Sequence, residues 1–342
     1  MDPITIKDVA RMCGVGVTTV SRAINNHPDI SEATKTMIMQ VIKENHYVPN
    51  NSARNLKRSA SKTIAVLIKG ITNPFFTPML QVFEKETKRR KYSYILQRVD
   101  QNQDEIDVAI ELEKEKRLKG IVFLGGYFSH SKEKLSQLTV PFVLSTIGMT
   151  AEMDQNNYSS VSVDDYQESY KMVDYLCALG HKKIAILCAS MKDESIGRLR
   201  LEGYKNALES HGIAYDKDLV WSMKETIESY SMENGYEVTK ELLQSGREFT
   251  ALYAISDSLA VGACKAILEF GKRIPEDYSV AGFDGLDLTF YYNPSITTIR
   301  QPVEQIAKET IRILFDLIQK KITQEHKIFP ADLVIRQSTK EP

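Results

Sequence analysis

The chain has 342 residues, 42% hydrophobic and 26% charged, an ordinary globular composition that argues against disorder or a fibrous chain. Its 44 basic and 45 acidic side chains nearly cancel, yet residues 1–62 hold nine Lys/Arg against five Asp/Glu, so a small basic head precedes an acidic body. No apolar run approaches the ~18 residues of a membrane span, and the first residues, MDPITIKDVA, lack the basic and apolar regions of a secretory signal. The four cysteines (Cys13, Cys177, Cys188, Cys264) form no CxxC pair, which argues for reduced, packed thiols in a cytoplasmic protein of two or three domains.

Three short helices are predicted in the head. Thr5 precedes Asp8 in a T-x-x-D start signal, and Ile6, Val9 and Ala10 share a face. Gly14 ends that helix. A second helix runs from about 17 to 25 with Val20 and Ile24 inward, and Ser31 caps a third with the stripe Ile38, Val41, Ile42. Two short helices around a glycine turn, then a packing helix, describe a helix-turn-helix. Its second helix exposes Val17, Thr18, Ser21 and Arg22, a small polar face that fits a major groove. On periodicity alone a plain three-helix bundle with a solvated Arg22 stays equally open.

The pieces TIKDVA, TTVSRAIN and YVPNNSARNL, at these spacings, resemble the amino terminus of lactose-repressor (LacI/GalR) family regulators. The resemblance implies DNA binding, with Val17, Thr18 and Arg22 reading bases and Thr5, Ser21 and Asn25 completing the DNA-facing set. Gly16 stands where the family usually has serine, a weaker helix cap. After Pro49, residues 50–57 allow about two helical turns, too few to be stable alone. By the same resemblance they form a hinge helix over the minor groove. Leu56 is then the wedge that kinks DNA, and Asn50, Ala53, Arg54 and Lys57 are the surrounding contacts.

From residue 62 the period changes. Apolar runs at 63–69, 93–99, 120–126, 141–146, 183–188, 251–256 and 279–283 read as buried strands. Amphipathic stretches at 79–90, 105–117, 166–179, 198–210, 230–244 and 259–270 lie between them. This βαβ order predicts a doubly wound α/β body of two lobes with a cleft beyond the strand carboxyl ends. The segments ITNPFF, LGHKKIAIL, GRLRLEGYKNAL, SDSLAVGACKAI and SVAGFDG extend the resemblance to the family's effector-binding core, of type I periplasmic-binding-protein fold. The expected plan is a helix-turn-helix domain over 1–49, a hinge over 50–62 and a core over 63–342. Lobe 1 is expected over about 63–161 and 293–322, and lobe 2 over about 162–292 and 323–342. The chain then crosses between lobes near 159–163, 288–294 and 322–329.

Cleft candidates follow from the resemblance. Arg200 matches the effector-binding arginine, whose planar donors suit a diol or a carboxylate, and Asp284 matches the cleft aspartate. Phe76 and Tyr230 match aromatic positions that stack on a ring. Ser256 matches a polar position, Asp257 is expected to cap the next helix, and Asn73 to organise its turn. Lys69-Gly70 and Glu168 depart from the family pattern and are expected to reshape the pocket. No GxxxxGK[ST], GxSxG or HExxH occurs and the six histidines show no ligand spacing, so no catalytic residue, metal or cofactor is assigned. His181, in a turn before a strand, is expected to be structural, and the adjacent Asp164 and Asp165 to be unable to act together.

The expected function is a sequence-specific transcription regulator, read as a repressor, binding pseudopalindromic operator DNA as a homodimer and controlled by a small effector, a sugar. It would be nucleoid-associated when bound. The alternatives are a solute receptor of a sugar transporter and a carbon-catabolite regulator with a phosphoprotein partner.

Overall fold

A computed structural model describes residues 4–24, 27, 29–45, 62–100, 103–126, 128–148, 154–189 and 195–342. The chain divides into two compact units, 1–60 and 61–342.

The first unit holds helices α1 (Ile6–Met12), α2 (Val17–Ile24) and α3 (Glu32–Glu44). Thr5 donates through its backbone N–H (3.0 Å) and its hydroxyl (2.6 Å) to the Asp8 carboxylate, which fixes the start of α1. Gly14 takes φ +65°, the left-handed conformation that turns the chain between α1 and α2. The Ser31 hydroxyl caps α3 by accepting from Thr34 N–H at 3.2 Å. Val9, Ala10, Val20, Ala23 and Ile38 form the core of this unit, with Ile24 at its edge.

The second unit contains two six-stranded sheets. The lobe 1 sheet comprises β1 (Thr63–Ile68), β2 (Ser93–Arg98), β3 (Gly120–Leu124), β4 (Phe142–Ser145), β5 (Ser159–Val163) and β11 (His326–Phe329), all parallel, in the order β11-β5-β4-β3-β1-β2. Helix α4 (Thr77–Arg89) and the long α12 (Val303–Ile318) pack on the face of Ile64, Val66 and Ile68, and α5 (Glu105–Lys116) on the face of Ala65 and Leu67. This is the alternation a parallel strand imposes when both faces are covered. A short helix, α6 (Lys132–Leu135), precedes β4.

The lobe 2 sheet comprises β6 (Ile184–Cys188), β7 (Val220–Ser222), β8 (Ala251–Ala254), β9 (Ser279–Asp284), β10 (Thr297–Arg300) and β12 (Asp332–Val334), in the order β12-β10-β9-β8-β6-β7. Only the β10–β12 pairing is antiparallel. Its helices are α7 (Asp165–Ala178), α8 (Ile196–Ser210), α9 (Met232–Gln244), α10 (Asp257–Glu269) and α11 (Asp287–Tyr291). Helices α7 and α8 touch backbone to backbone: a β-carbon at Gly203 would lie 2.3 Å from the Tyr166 carbonyl oxygen. That close approach brings the first turns of the two helices together.

The crossings differ from those expected. β5 still belongs to lobe 1, and the chain leaves at Asp164. The second crossing is Gln301–Pro302, not 288–294, because β10 pairs with β9 inside lobe 2. The third is Pro330–Ala331, beyond 322–329, because β11 pairs with β5. Lobe 1 therefore runs over 62–163 and 302–329, and lobe 2 over 164–301 and 330–342.

Candidate effector site and DNA-reading helix

In the first unit α2 begins directly after Gly16, whose carbonyl accepts from Thr19 and Val20 N–H at 2.9 and 3.2 Å. Packing Val20 and Ala23 inward leaves Val17, Thr18 and Arg22 exposed on one side, with Ser21 half-buried. Arg22 makes no ion pair among the described residues. Thr5 is exposed, but its hydroxyl is held by Asp8. Asn25, Asn50, Ala53, Arg54, Leu56 and Lys57 lie outside the described residues.

In the body the candidates gather at strand carboxyl ends. Arg200, in the second turn of α8, is 2% exposed. It donates through Nε (2.9 Å) and Nη2 (2.7 Å) to Oδ1 of Asp165 in the first turn of α7, and through Nη1 to the Ile255 carbonyl at 2.5 Å. Its guanidinium lies 3.6 Å from the Phe283 ring centroid, and Nη1 is 3.8 Å from Oδ1 of Asp284. The backbone behind it is fixed as well. Tyr253 donates to Ser169 (3.0 Å), and Ser169 donates to the Arg200 carbonyl (2.6 Å). A guanidinium with three of its five donors engaged is held in place, so little rotamer freedom remains to be lost on binding, and two donors are left for a ligand.

Asp284 closes β9 with φ +125° and accepts from Gln301 Nε2 at 3.1 Å. Burial raises its pKa to about 7, against the opposing pull of Arg200 and Gln301. Burial also raises Asp165 above the usual carboxylate range, while Asp165 and Asp284 hold Arg200 firmly cationic. Two buried carboxyls, Asp165 and Asp284, thus share one guanidinium, and a third, Asp257, lies beside Asp284. The site favours a ligand rich in hydrogen-bond donors.

Ser256, not Asp257, caps α10: its backbone is extended and its hydroxyl accepts from Leu259 N–H at 3.3 Å. Asp257 instead turns back to accept from Gly285 and Leu286 N–H (2.7 Å each) and from the Thr298 hydroxyl (2.6 Å). It holds the turn that follows Asp284. Tyr230 takes φ +57° before α9 and lies close enough to Arg200 to act on its charge.

From lobe 1, Asn73 accepts from Phe75 N–H at 3.1 Å and organises its turn. Phe76 is buried against Gly125, where a β-carbon would come within 2.6 Å of the ring. The two lobes meet where the Thr72 hydroxyl donates to the Glu228 carboxylate. Asn234 knits the loop carrying Glu228, accepting from Lys224 N–H at 2.9 Å and donating to the Lys224 carbonyl at 3.0 Å.

The two departures from the family pattern are engaged elsewhere than in an open pocket. Lys69 donates to Glu105 at 2.5 Å, and Glu105 also meets His130 Nε2 at 2.8 Å. Glu168 accepts from Ala331 N–H at 3.0 Å, and Lys171 donates to both the Glu168 carboxylate and the Ala331 carbonyl, the latter at 2.8 Å. One turn of α7 thereby holds both Arg200 and the third crossing. Asp165 and Gln301 were not among the sequence candidates, Asp257 was expected only to cap a helix, and Glu168 only to reshape the pocket. Asp164 and Asp165 do separate, Asp164 capping α7 through Gln167 N–H at 3.1 Å. His181 is structural: buried, it meets Thr250 (2.8 Å), Ser279 (3.2 Å) and the Lys340 carbonyl (2.9 Å).

Comparison with known proteins bears on both units. Residues 5–50 match the family described as bacterial regulatory proteins, lacI family, and residues 173–339 match the periplasmic binding protein-like domain. The chain is 40% identical over 337 residues to the HTH-type transcriptional regulator MalR of Clostridium butyricum, covering 98% of this chain and 99% of that one. It superposes on a transcriptional regulator CelR–cellobiose complex with TM-score 0.72 at 26% identity, covering 98% and 100% of the two chains. A LacI family regulator from Enterococcus faecium with bound ribose gives TM-score 0.70 at 29% identity, over 82% of this chain and 99% of that one. With a relative 40% identical along almost the whole of both chains, this protein belongs to the LacI family of bacterial transcription regulators, which are DNA-binding proteins and not enzymes.

Proposed function

We propose that the protein binds a pseudopalindromic operator as a homodimer and that a sugar bound between its lobes sets its affinity for that operator. The observation that carries the effector half is the buried Arg200–Asp165–Asp284 cluster, flanked by Tyr230. A guanidinium and carboxyls side by side offer both donors and acceptors to vicinal hydroxyls, and an aromatic ring takes an apolar sugar face. The sugars bound in the related CelR and Enterococcus faecium structures support this class of ligand. The homodimer is supported by α11, which leaves Phe290 61% and Tyr291 80% exposed beside Leu288.

In this reading Val17, Thr18 and Arg22 meet base edges, and the half-sites lie about one helical turn apart. The effector favours one lobe arrangement, and the crossings pass that preference towards the DNA-binding segment. A coupling of about 1–3 kcal/mol is the usual size of such control.

The test has two arms. Selection of duplexes from a random library should return a two-fold-symmetric sequence whose binding weakens steeply with salt. A thermal-shift screen over mono- and oligosaccharides, cellobiose and ribose among them, should give a hit that also changes operator affinity; a ligand at 100 times its Kd stabilises by about 2.7 kcal/mol. Selection that returns no symmetric duplex sinks the first half. A panel in which only purines or amino acids stabilise the chain sinks the second.

A further inference from the structure

The amino ends of the lobe 1 strands carry a group of cations that neither the head nor the effector cluster uses. Helices of a parallel α/β lobe run back against the strands, so α4, α5 and α12 end where β1, β2 and β3 begin. The register Thr63↔Ser93 and Ile64↔Gly120 sets the residues just before each strand side by side. Ser93 N–H donates to the Lys62 carbonyl at 2.6 Å, and Lys119 N–H donates to the Thr63 carbonyl at 2.7 Å. The end of α12 joins them through the edge-on pair Tyr92–Phe315, with centroids 4.8 Å apart. Six cations, Lys62, Lys88, Lys91, Arg117, Lys119 and Lys320, make no ion pair among the described residues on this face. The local acids are taken: Glu86 by Arg89 and Arg90, Glu115 by Lys116, Asp316 by Arg312 and Lys321.

Backbone geometry shows that these charges sit where another residue would fold more easily. Lys91, Arg117 and Lys320 end α4, α5 and α12 in the left-handed conformation, at φ 60°, 53° and 56°. Glycine is the favoured residue there, since a β-carbon is crowded in that conformation. Lobe 2 follows the rule: α7, α8, α9 and α10 end on Gly180, Gly212, Gly246 and Gly271, all at positive φ. Those four helices also have no basic residue in the last turn, whereas α4 and α5 have two each. Complementing a helix dipole is therefore not a need that every helix of this fold meets with a cation. The body as a whole is acidic, so the patch is local.

We propose that this amino-end face of lobe 1 is a second DNA-contact surface, which holds backbone phosphates flanking the operator. The chain enters the core through Lys62, itself part of the patch. Exposed lysines and arginines without acid partners suit phosphate contact, which carries no sequence information and shows as salt dependence. This rests on the DNA-binding reading above.

The experiment uses the full chain and the operator it selects, in a short duplex of about 20 base pairs and in one extended to about 60, either side of the span of paired half-sites. Titrations over a salt series compare wild type with the triple variant Lys91→Gly, Arg117→Gly, Lys320→Gly. Wild type should show a steeper salt slope on the long duplex than on the short one. In the variant the long-duplex slope should fall by about 2 to 3, at about 0.9 per phosphate contact, with short-duplex binding unchanged. Its thermal midpoint should be unchanged or raised, because glycine suits these positions, and arginine at Lys91 and Lys320 should keep wild-type behaviour. Equal slopes for variant and wild type on the long duplex would overturn the proposal. So would equal losses on both duplexes, which place the effect away from the flanks. Failure of wild type to bind any selected duplex would instead sink the DNA-binding reading itself.

Discussion

Lobe 1 and lobe 2 share a sheet plan but place their charges oppositely. Lobe 2 buries them at the strand carboxyl ends, around Arg200, Asp165 and Asp284 with Asp257 beside them, and ends α7, α8, α9 and α10 on glycine. Lobe 1 has aromatic Phe76 and the single Lys69–Glu105 pair on the corresponding side and carries cations without ion pairs among the described residues at the opposite, amino end. A buried charge must be matched at once by a partner, because its desolvation is large. An exposed one has no such need and is free for an outside anion. Lobe 2 gathers charge at its interior, and lobe 1, through which the chain enters, adds a charged outer face.

The sharpest way to break the inner arrangement is Arg200→Ala. It leaves Asp165 buried without the cation that pairs with it among the described residues, and such a loss typically costs 3–5 kcal/mol. Urea unfolding should show a drop of that order, and any sugar that stabilises wild type should no longer do so. Unchanged stability would mean that the cluster is solvated and the contrast between lobes is false. Next comes Asp284. With its pKa held at about 7 by burial, the folded state keeps a proton that the unfolded chain releases near its ordinary value of 3.8. Stability from this group is therefore greatest below about pH 4 and falls as pH rises to about 7, by about 1.4 kcal/mol per unit. Asp284→Asn should reduce that slope, with Asp165 and Asp257, which burial also raises, keeping the remainder, so the variant gains on wild type as pH rises through this window. A ligand that donates to Asp284 should release a proton on binding near pH 6–7, which calorimetry in buffers of different ionisation enthalpy reads directly. A variant whose stability runs parallel to wild type over pH 4–7 would place the proton elsewhere.

Smaller is the effect of Glu168→Ala, which frees the Ala331 N–H and leaves Lys171 with only the carbonyl. An unsatisfied buried group costs about 1–3 kcal/mol. Hydrogen exchange at Ala331 should accelerate, and Glu168→Gln, which keeps an acceptor, should restore most of the protection. If exchange there is equally slow in Glu168→Ala, the clamp does not hold the crossing. Glu168 also marks the limit of the sequence reading. Its partner lies 163 residues away, so no window of the chain could pair them. Asp165 escaped for the same reason, 35 residues from Arg200. By contrast Thr5–Asp8, Gly14 and Ser31 signal locally, and the three head helices stand within a residue or so of where they were expected. β10 was hidden by chemistry: Thr297 and Thr298 are fully buried, their hydroxyls bound by Thr339 and Asp257, so a core strand carries a polar sequence. α12 has no such disguise, since Ile306, Ala307, Thr310, Ile311 and Leu314 keep a helical period that the sequence shows plainly.

The smallest effect tests the contrast at the helix ends from the other side. Gly246 ends α9 at φ +70° with nothing within 4 Å of a built β-carbon, so a lysine there meets no steric neighbour. Gly246→Lys should nevertheless cost about 1 kcal/mol. The left-handed conformation costs an L-residue roughly 1–2 kcal/mol, and the stiffer unfolded chain returns part of it. The same lysine adds a positive charge at a helix carboxyl end, worth a few tenths of a kcal/mol in its favour. A measured loss near 1 kcal/mol, with DNA affinity and salt slope unchanged, would show that a cation in this conformation brings no general benefit to the fold. Lobe 1 would then be carrying three such costs for something outside itself. A neutral or stabilising Gly246→Lys would remove that reasoning, because the lysines and arginine of lobe 1 could then be ordinary helix ends.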